Sequence, residues 1–319
     1  MKKVLLVGEA MMLLMAEDKG KLSEIEKYLT GISGAELNVC VGLTRLGFYC
    51  EYITRLGHDP FGEKIQNFLE KEKIGSKYVE VDETNRTGLQ LKSKVNNGDP
   101  LIHYFRKDSA ASKITKEIID RINLEEFDLI HITGIPLGIS ESFREAIIYL
   151  IKKAKEKNIY ITFDPNLRPQ MWDDIEKMKK IVNDICTKVD LILPGIGECE
   201  ILLGLKDIND IKNKYFEMGV KRIIIKDGER GSYCFDKEKE VFVPSFKVEK
   251  VVDTVGAGDG FAVGIISSIL DNLSCEEMLK RANAIGAIQV GHRSDNEGLP
   301  TREKLEEFIK TSEQRDVNE

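Results

Sequence analysis

The chain has 319 residues, with 47 Lys and Arg against 54 Asp and Glu, which gives a formal net charge of −7 at pH 7. Hydrophobic residues make up 42% and charged residues 32%, a globular composition that excludes collagen-like, disulfide-scaffold and wholly disordered classes. A negatively charged chain has no general attraction for nucleic acid or an anionic membrane, so any anionic ligand must bind at a local site.

Short apolar runs alternate with helical patterns along the chain. Strands are predicted at the apolar runs 4–7, 129–133, 159–163, 191–193 and 222–226. Helices are predicted at 35–46, 60–73, 140–157 and 172–188, with Asp59 as the N-cap before Pro60. This alternation indicates an α/β fold with a mostly parallel sheet that helices cover on both faces.

The first apolar run could be either a core strand or a signal peptide for export. The charge of Glu9 interrupts the apolar residues near the N-terminus, which favours a first core strand over a signal peptide. No apolar run reaches the roughly 18 residues of a membrane span. The six cysteines form no CxxC pair, as is typical of reduced thiols. We therefore expect a cytoplasmic protein with neither a membrane nor a nucleic-acid partner.

One segment departs from the α/β pattern. Apolar and polar residues alternate from 87 to 95, Asn97-Gly98 is a turn dipeptide, and 101–106 returns as a second strand. Such an antiparallel ribbon is either a simple edge hairpin or a lid, because the crevices of open α/β sheets lie at the strand ends.

The strongest chemical signal is DTVGAGDGF at 253–261, which precedes an apolar helical run at 262–270. A glycine-rich loop at a helix N-terminus can present several N–H groups to an anion, and the helix dipole favours negative charge there. Asp259 could take the proton of an attacking hydroxyl beside this anion hole, or it could only cap the helix. The P-loop and dinucleotide-binding glycine motifs are absent from the sequence.

Residues 253–261 resemble the DTxGAGDxF signature of the ribokinase-like (PfkB) carbohydrate kinases. The family's N-terminal signature is similar to SGAELNVCVGLTRLG at 33–47 and GHDPFG at 57–62. The resemblance covers nearly the whole chain and implies a three-layer α/β/α kinase domain at 1–9, 21–86 and 107–312. A small β-sheet lid would comprise 10–20 and 87–106, and 313–319 would be a loose tail. Asp259 would be the catalytic base.

Three stretches look like the family members that phosphorylate 2-keto-3-deoxygluconate with ATP to give the 6-phosphate: GAELN at 34–38, YFR at 104–106 with SAAS at 109–112, and DPNLRP at 164–169. Arginine forks suit the carboxylate of an acidic sugar. Fructokinases carry similar arginine runs, so a neutral sugar stays open, as do a nucleoside substrate and a catalytically silent sugar-binding protein. The resemblance places these residues at the sugar: Gly34, Asn38, Gln90, Tyr104, Arg106, Arg168, Asp259 and Asp295.

The resemblance also implies an ATP site. Its residues would be Asn166, Arg168, Lys226, Gly228, Gly231, Gly256, Ala257, Gly258, Asp259 and Asn283. The family's NxxE motif, linked to Mg²⁺ through water, reads GIGE at 195–198, so Glu198 is retained while Gly195 replaces the asparagine. Mg²⁺ keeps several waters, so one outer-sphere carboxylate can suffice.

Two further expectations concern binding partners. Members of the family are often activated by a monovalent cation near Asp253 and Val255, and the sequence leaves this open. The exposed strand edges of the lid predict pairing with a second subunit, and hence a homodimer or a larger homo-oligomer.

Overall fold

The computed structural model describes residues 1–95, 100–236 and 238–316. Its strands, in chain order, are β1 (Lys3–Val7), β2 (Met11–Ala16), β3 (Tyr28–Ser33), β4 (Tyr49–Gly57), β5 (Val79–Asp82), β6 (Gly88–Lys92), β7 (Ile102–Phe105), β8 (Leu129–Thr133), β9 (Tyr160–Asp164), β10 (Leu191–Ile192), β11 (Ile223–Lys226), β12 (Gly231–Phe235) and β13 (Glu240–Pro244). Its α-helices are α1 (Ala35–Arg45), α2 (Pro60–Lys71), α3 (Lys116–Asp120), α4 (Ile135–Ile139), α5 (Glu141–Glu156), α6 (Ile175–Cys186), α7 (Ile196–Leu203), α8 (Ile208–Glu217), α9 (Ala257–Leu270), α10 (Cys275–Gln289) and α11 (Arg302–Thr311).

The larger sheet has nine strands in the order β13-β12-β11-β10-β9-β8-β1-β4-β5. Its strands run parallel from β11 to β5, while β12 and β13 form an antiparallel ribbon at one edge. In β1, Val4 and Leu6 pack into one apolar cluster with α1, α9 and α10, whereas Leu5 and Val7 pack into a second cluster with α5. The expected three-layer α/β/α architecture is therefore confirmed.

Helix boundaries follow local capping. The side chain of Asp59 accepts hydrogen bonds from the first turn of α2, as expected. The helix predicted at 172–188 begins later, at Ile175, because the Asp174 side chain accepts from the N–H groups of Glu176 and Lys177. A separate 3₁₀ turn, Pro169–Met171, precedes it.

The second sheet is the lid, with strand order β3-β2-β6-β7. Strands β6 and β7 form the expected antiparallel ribbon, in which Gln90 pairs with Tyr104. The expected turn at Asn97-Gly98 lies outside the described residues. The lid also contains β3, from the stretch 21–86 that the sequence analysis assigned to the larger domain. Strand β3 is exposed over much of its length and contains Gly31, so its apolar pattern is weak.

Residues 313–315 form backbone contacts that a loose tail, as expected for 313–319, would lack. Gln314 forms a β-bridge with Phe246, and the Arg315 N–H donates to the Ser245 carbonyl over 2.8 Å. Such backbone hydrogen bonds have no periodic signature in the sequence, so the sequence does not predict them. Residues 317–319 lie outside the described residues.

The described helices include none with the length and apolar character needed to cross a membrane. The six cysteines are free thiols, and all but Cys275 are buried. Apolar side chains are exposed on or beside the lid strands, at Leu29, Leu101 and Phe105.

Candidate active site

A cavity of about 570 Å³ lies where the carboxyl ends of the larger sheet meet the lid. Glu9 follows β1, Asp164 ends β9 and Lys226 ends β11, while the lid contributes Gln90 and Tyr104. Parallel strands end at the same edge of a sheet, which is where open α/β folds bind ligands. We call this space the acceptor cavity.

The GAGD loop forms one wall of the acceptor cavity. Gly256 caps α9 with φ +83°, and a Cβ there would lie 2.3 Å from the Asp295 carbonyl oxygen, so a side chain is excluded. A Cβ at Gly258 would meet nothing within 4 Å, which leaves the first turn of α9 open. The sequence predicts an anion hole at this turn, where the Ala257 N–H donates to the Thr254 carbonyl over 3.3 Å.

Asp259 stands in the first turn of α9 and is 9% exposed. Its Oδ2 accepts a hydrogen bond from Asn38 Nδ2 over 2.7 Å, and its Oδ1 faces Asn166 Nδ2 at 3.4 Å. Burial raises the pKa of Asp259 to about 6, and Asp164 and Asp295 act in the same direction against the lowering effects of Asn38 and Arg168. Asp259 is therefore mainly ionised at pH 7, yet more basic than an exposed aspartate.

All the residues expected at the sugar line the acceptor cavity: Gly34, Asn38, Gln90, Tyr104, Arg106, Arg168, Asp259 and Asp295. Gly34 has φ +154°, and a Cβ there would lie 2.5 Å from the Glu9 carbonyl oxygen. The position therefore requires glycine because the N-terminus of α1 passes so close to the end of β1.

The two arginines of the cavity differ in their partners. Arg106 donates from Nε to Glu9 over 2.7 Å, so its charge is already paired. Arg168 is half-buried and donates to the Leu167 carbonyl, and within the described residues it has no acidic ion-pair partner. Of the two, Arg106 alone has its charge paired with a carboxylate among the described residues.

The sequence analysis gave no site role to three acidic residues of this cavity, although Glu36 and Asp164 lie in the stretches that carry the family resemblance. Glu9 is 2% exposed and also accepts a hydrogen bond from Ser109 Oγ over 2.5 Å. Its only sequence signal was a charge inside an apolar run. Glu36 accepts from Thr133 Oγ1 over 2.5 Å, and burial raises its pKa to about 7. Asp164 holds Lys226 Nζ between its two oxygens at 2.9 and 2.8 Å.

A second cavity of about 420 Å³ adjoins the acceptor cavity, and Lys226, Thr254 and Gly258 line both. We call it the nucleotide cavity, after the ATP site that the family resemblance implies. Its walls are largely apolar, with side chains of Phe246, Val248, Val251, Phe261 and Val290. Of the residues expected at ATP, it contains Lys226, Gly228, Gly231, Ala257, Gly258 and Asn283, while Asn166, Arg168, Gly256 and Asp259 line the acceptor cavity.

Two of the residues expected at ATP, Asn283 and Gly231, contact strand β13. The Asn283 amide accepts from Ser232 Oγ and donates to the carbonyls of Val243 and Pro244, which ties α10 to the β12–β13 ribbon. Gly231 has φ +137°, and a Cβ there would lie 2.3 Å from the Val243 carbonyl oxygen. Both residues shape the wall of the cavity through these contacts.

Glu198 lies in the acceptor cavity beside Lys226. Its Oε1 accepts from the Leu167 N–H over 2.8 Å and its Oε2 from the Gly195 N–H over 2.7 Å. Burial alone would lower the pKa of Lys226, but Asp164 and Glu198 raise it, so the lysine stays charged. The carboxylate of Glu198 keeps lone pairs that can accept hydrogen bonds from water. No group of three potential metal ligands occurs among the described residues. This donor set fits a magnesium ion held through water and phosphate oxygens.

Comparison with known proteins places the chain in a family. The model of the pfkB family of carbohydrate kinases matches residues 1–302. The chain is 41% identical to a 2-dehydro-3-deoxygluconokinase of Bacillus subtilis (strain 168), over 98% of this chain and 96% of the relative.

Two solved structures share the fold. The crystal structure of a PfkB protein from Polaromonas sp. JS666 is 37% identical, with a TM-score of 0.87 over 96% of this chain and 99% of that one. A putative ribokinase II from E. coli, in complex with ATP and Mg²⁺, is 27% identical, with a TM-score of 0.88 over 97% and 99% of the two chains. The chain belongs to the pfkB family of carbohydrate kinases.

Proposed function

We propose that the protein transfers the γ-phosphoryl group of ATP to the primary hydroxyl of 2-keto-3-deoxygluconate, giving the 6-phosphate and ADP. The observation that carries the proposal is the position of Asp259. This buried carboxylate stands in the first turn of α9, where the polar acceptor cavity adjoins the apolar nucleotide cavity. A base at this junction can reach a sugar hydroxyl as it attacks the terminal phosphate.

In the proposed reaction the sugar oxygen bonds to the γ-phosphorus while the bond to the β,γ-bridging oxygen breaks and ADP leaves. Asp259 Oδ takes the proton of the attacking hydroxyl and later releases it to solvent. The N–H groups at Gly256, Ala257 and Gly258 donate to the phosphoryl oxygens, that of Ala257 in exchange for its 3.3 Å hydrogen bond to the Thr254 carbonyl. The α9 dipole also favours negative charge there. Asn38 keeps Asp259 oriented through its 2.7 Å hydrogen bond.

The proposed nucleotide complex is Mg-ATP. The apolar side chains of Val248, Val251 and Val290 offer flat contacts for a purine ring. Lys226 lines both cavities and stays charged, which suits a position near the phosphates. Magnesium would be held by Glu198 through water, and it would neutralise phosphate charge as the γ-phosphoryl group transfers.

The acidic sugar is proposed because of Arg168. A guanidinium that forms no ion pair among the described residues can bind a substrate carboxylate. The name of the B. subtilis relative agrees with this substrate. The competing proposals are a fructokinase, which would use Arg168 on a neutral sugar, and a silent sugar-binding protein.

We also propose that the lid excludes water from the transferred phosphoryl group and pairs with a second copy of the chain. Leu29 on β3 and Phe105 on β7 are 43% and 59% exposed, on the two edge strands of the lid. Sedimentation of the purified protein tests the pairing, and a monomer at micromolar concentration would contradict it.

The function is tested by ADP release from Mg-ATP with 2-keto-3-deoxygluconate, fructose, ribose and gluconate as acceptors. We expect a clear preference for the keto-deoxy acid in kcat/KM. A preference for fructose would keep Asp259 as the base but reject the role of Arg168. Absence of ADP release with every acceptor would reject the kinase proposal.

A further inference from the structure

A lysine from the lid is buried beside the anion hole. Lys92, at the end of β6, has a side chain only 3% exposed. Its Nζ lies 2.5 Å from Asp253 Oδ2 and 2.8 Å from Asp295 Oδ1, and both carboxylates are buried as well. A buried ammonium is stable only when it is paired, and here two carboxylates surround it.

The two aspartates stand on separate segments that shape the anion hole. Asp253 begins the loop before α9, and its Oδ1 accepts from the Val255 N–H over 3.0 Å. Asp295 follows α10, and its carbonyl oxygen lies 2.3 Å from the position that a Cβ at Gly256 would take. The ammonium of Lys92 therefore joins the lid to both segments that set the position of Gly256.

In these contacts both carboxylate oxygens of Asp253 have a partner. One oxygen bonds to Lys92 and the other to the Val255 N–H. The family resemblance suggested a monovalent cation near this carboxylate, but an ammonium already supplies a positive charge there. The residues present therefore do not fit a soluble cation at the Asp253 side chain.

We propose that Lys92 is a positioning residue whose ammonium takes the place of a soluble monovalent cation beside the anion hole. The inference rests on the proposed kinase function for its effect on turnover, but its effect on the folded protein is independent of that function. The lid then contributes a fixed charge to the loop before α9, so the loop is held only when the lid strand is in place. The protein should need no potassium.

The first test measures thermal unfolding without substrates, in potassium chloride and in tetramethylammonium chloride at equal ionic strength. We expect the wild type to unfold at the same temperature in both salts. The variant Lys92→Met should unfold at a lower temperature in tetramethylammonium and regain stability in potassium or ammonium chloride. Lys94→Met is the matched control, because Lys94 is an exposed lysine of the same segment and its Nζ donates to the Glu17 carbonyl.

The second test measures ADP release in the same salts. Wild type and Lys94→Met should keep equal kcat in all of them. Lys92→Met should lose about 10²-fold in kcat in tetramethylammonium, as expected when a reacting group is misplaced by about 1 Å, and should recover with potassium or ammonium.

Two outcomes would overturn the inference. One is a wild type that needs potassium for stability or turnover, a measurement that requires no variant. The other is a Lys92→Met protein with no salt response in either assay. If no acceptor yields ADP, the kinase proposal fails, while the unfolding experiment still decides the role of Lys92.

Discussion

The acceptor cavity and the nucleotide cavity meet at the first turn of α9, but they differ in construction. The acceptor cavity is lined by charged side chains that hold one another, such as Arg106 with Glu9 and Lys226 with Asp164. The nucleotide cavity is lined mostly by apolar side chains and glycines, with Lys226 at the junction and Glu229, Asn283 and Arg315 among its polar residues. A substitution in the first therefore disturbs several charges, whereas one at an apolar residue of the second removes mainly contact area.

The largest effect is expected where the two cavities join. Asp259→Asn should reduce kcat by about 10³-fold or more, because general-base catalysis contributes roughly 10²–10⁴ and the base is lost. The affinity for ATP should stay unchanged, as measured by calorimetry. The carboxamide keeps an oxygen that can accept from Asn38, so loss of packing does not explain the effect.

The stability of the same variant is a second readout. The pKa of Asp259 is raised from 3.8 to about 6 in the folded protein. Ionisation of this carboxylate therefore begins to destabilise the folded state above about pH 4, and the destabilisation reaches its full size once the pH exceeds about 6. Removing the charge should leave the melting temperature at pH 7 equal to or above that of wild type. A lower melting temperature together with the lost turnover would indicate a structural role for Asp259.

The next largest effect tests the charge of the acceptor cavity. Arg168→Met should raise KM for the keto-deoxy acid by roughly 10- to 100-fold, because a hydrogen bond between charged groups is worth about 1.5–3 kcal/mol. The KM for ATP should change far less. Arg144→Met is the matched control, since Arg144 is also half-buried and donates to a backbone carbonyl, that of Leu137. Equal losses with fructose and the keto-deoxy acid would contradict a carboxylate role for Arg168.

A smaller effect is expected in the pH dependence of kcat/KM. The acidic limb of kcat/KM should lie near pH 6 in the wild type, with activity rising as Asp259 ionises. Asn38→Ala should move this limb upward by about one pH unit, because the lost hydrogen bond favours the charged form. Arg168→Met should shift it in the same direction, since its guanidinium also lowers the pKa of Asp259. An unmoved limb would assign the titration to another group.

The smallest effect belongs to the nucleotide cavity. Val290→Ala removes two methyl groups from its wall, so KM for ATP should rise about fivefold, from roughly 1 kcal/mol of lost contact. The KM for the sugar should stay constant, because Val290 does not line the acceptor cavity. A parallel rise of both constants would mean that the cavities are coupled.

Features with a local cause were predictable from the sequence. The continuous apolar runs of β1 and β8 identified buried parallel strands, and Asp59 before Pro60 identified the start of α2. The GAGD loop predicted an anion hole because glycine spacing and a following helix are local properties. The residues that the family resemblance implies at the sugar come from distant parts of the chain, and the structure brings them together in a single cavity.

The sequence by itself determined the strand and helix pattern, the anion-hole loop and the candidate base. Only the tertiary structure decided that β3 joins the lid, that Arg106 is paired with Glu9 while Arg168 is not, and that Lys92 bridges two aspartates. The physical reason is that periodicity and capping depend on neighbouring residues, whereas charge pairing depends on which distant segments are buried together. Burial raises the pKa of Asp259, and burial is a property of the folded chain.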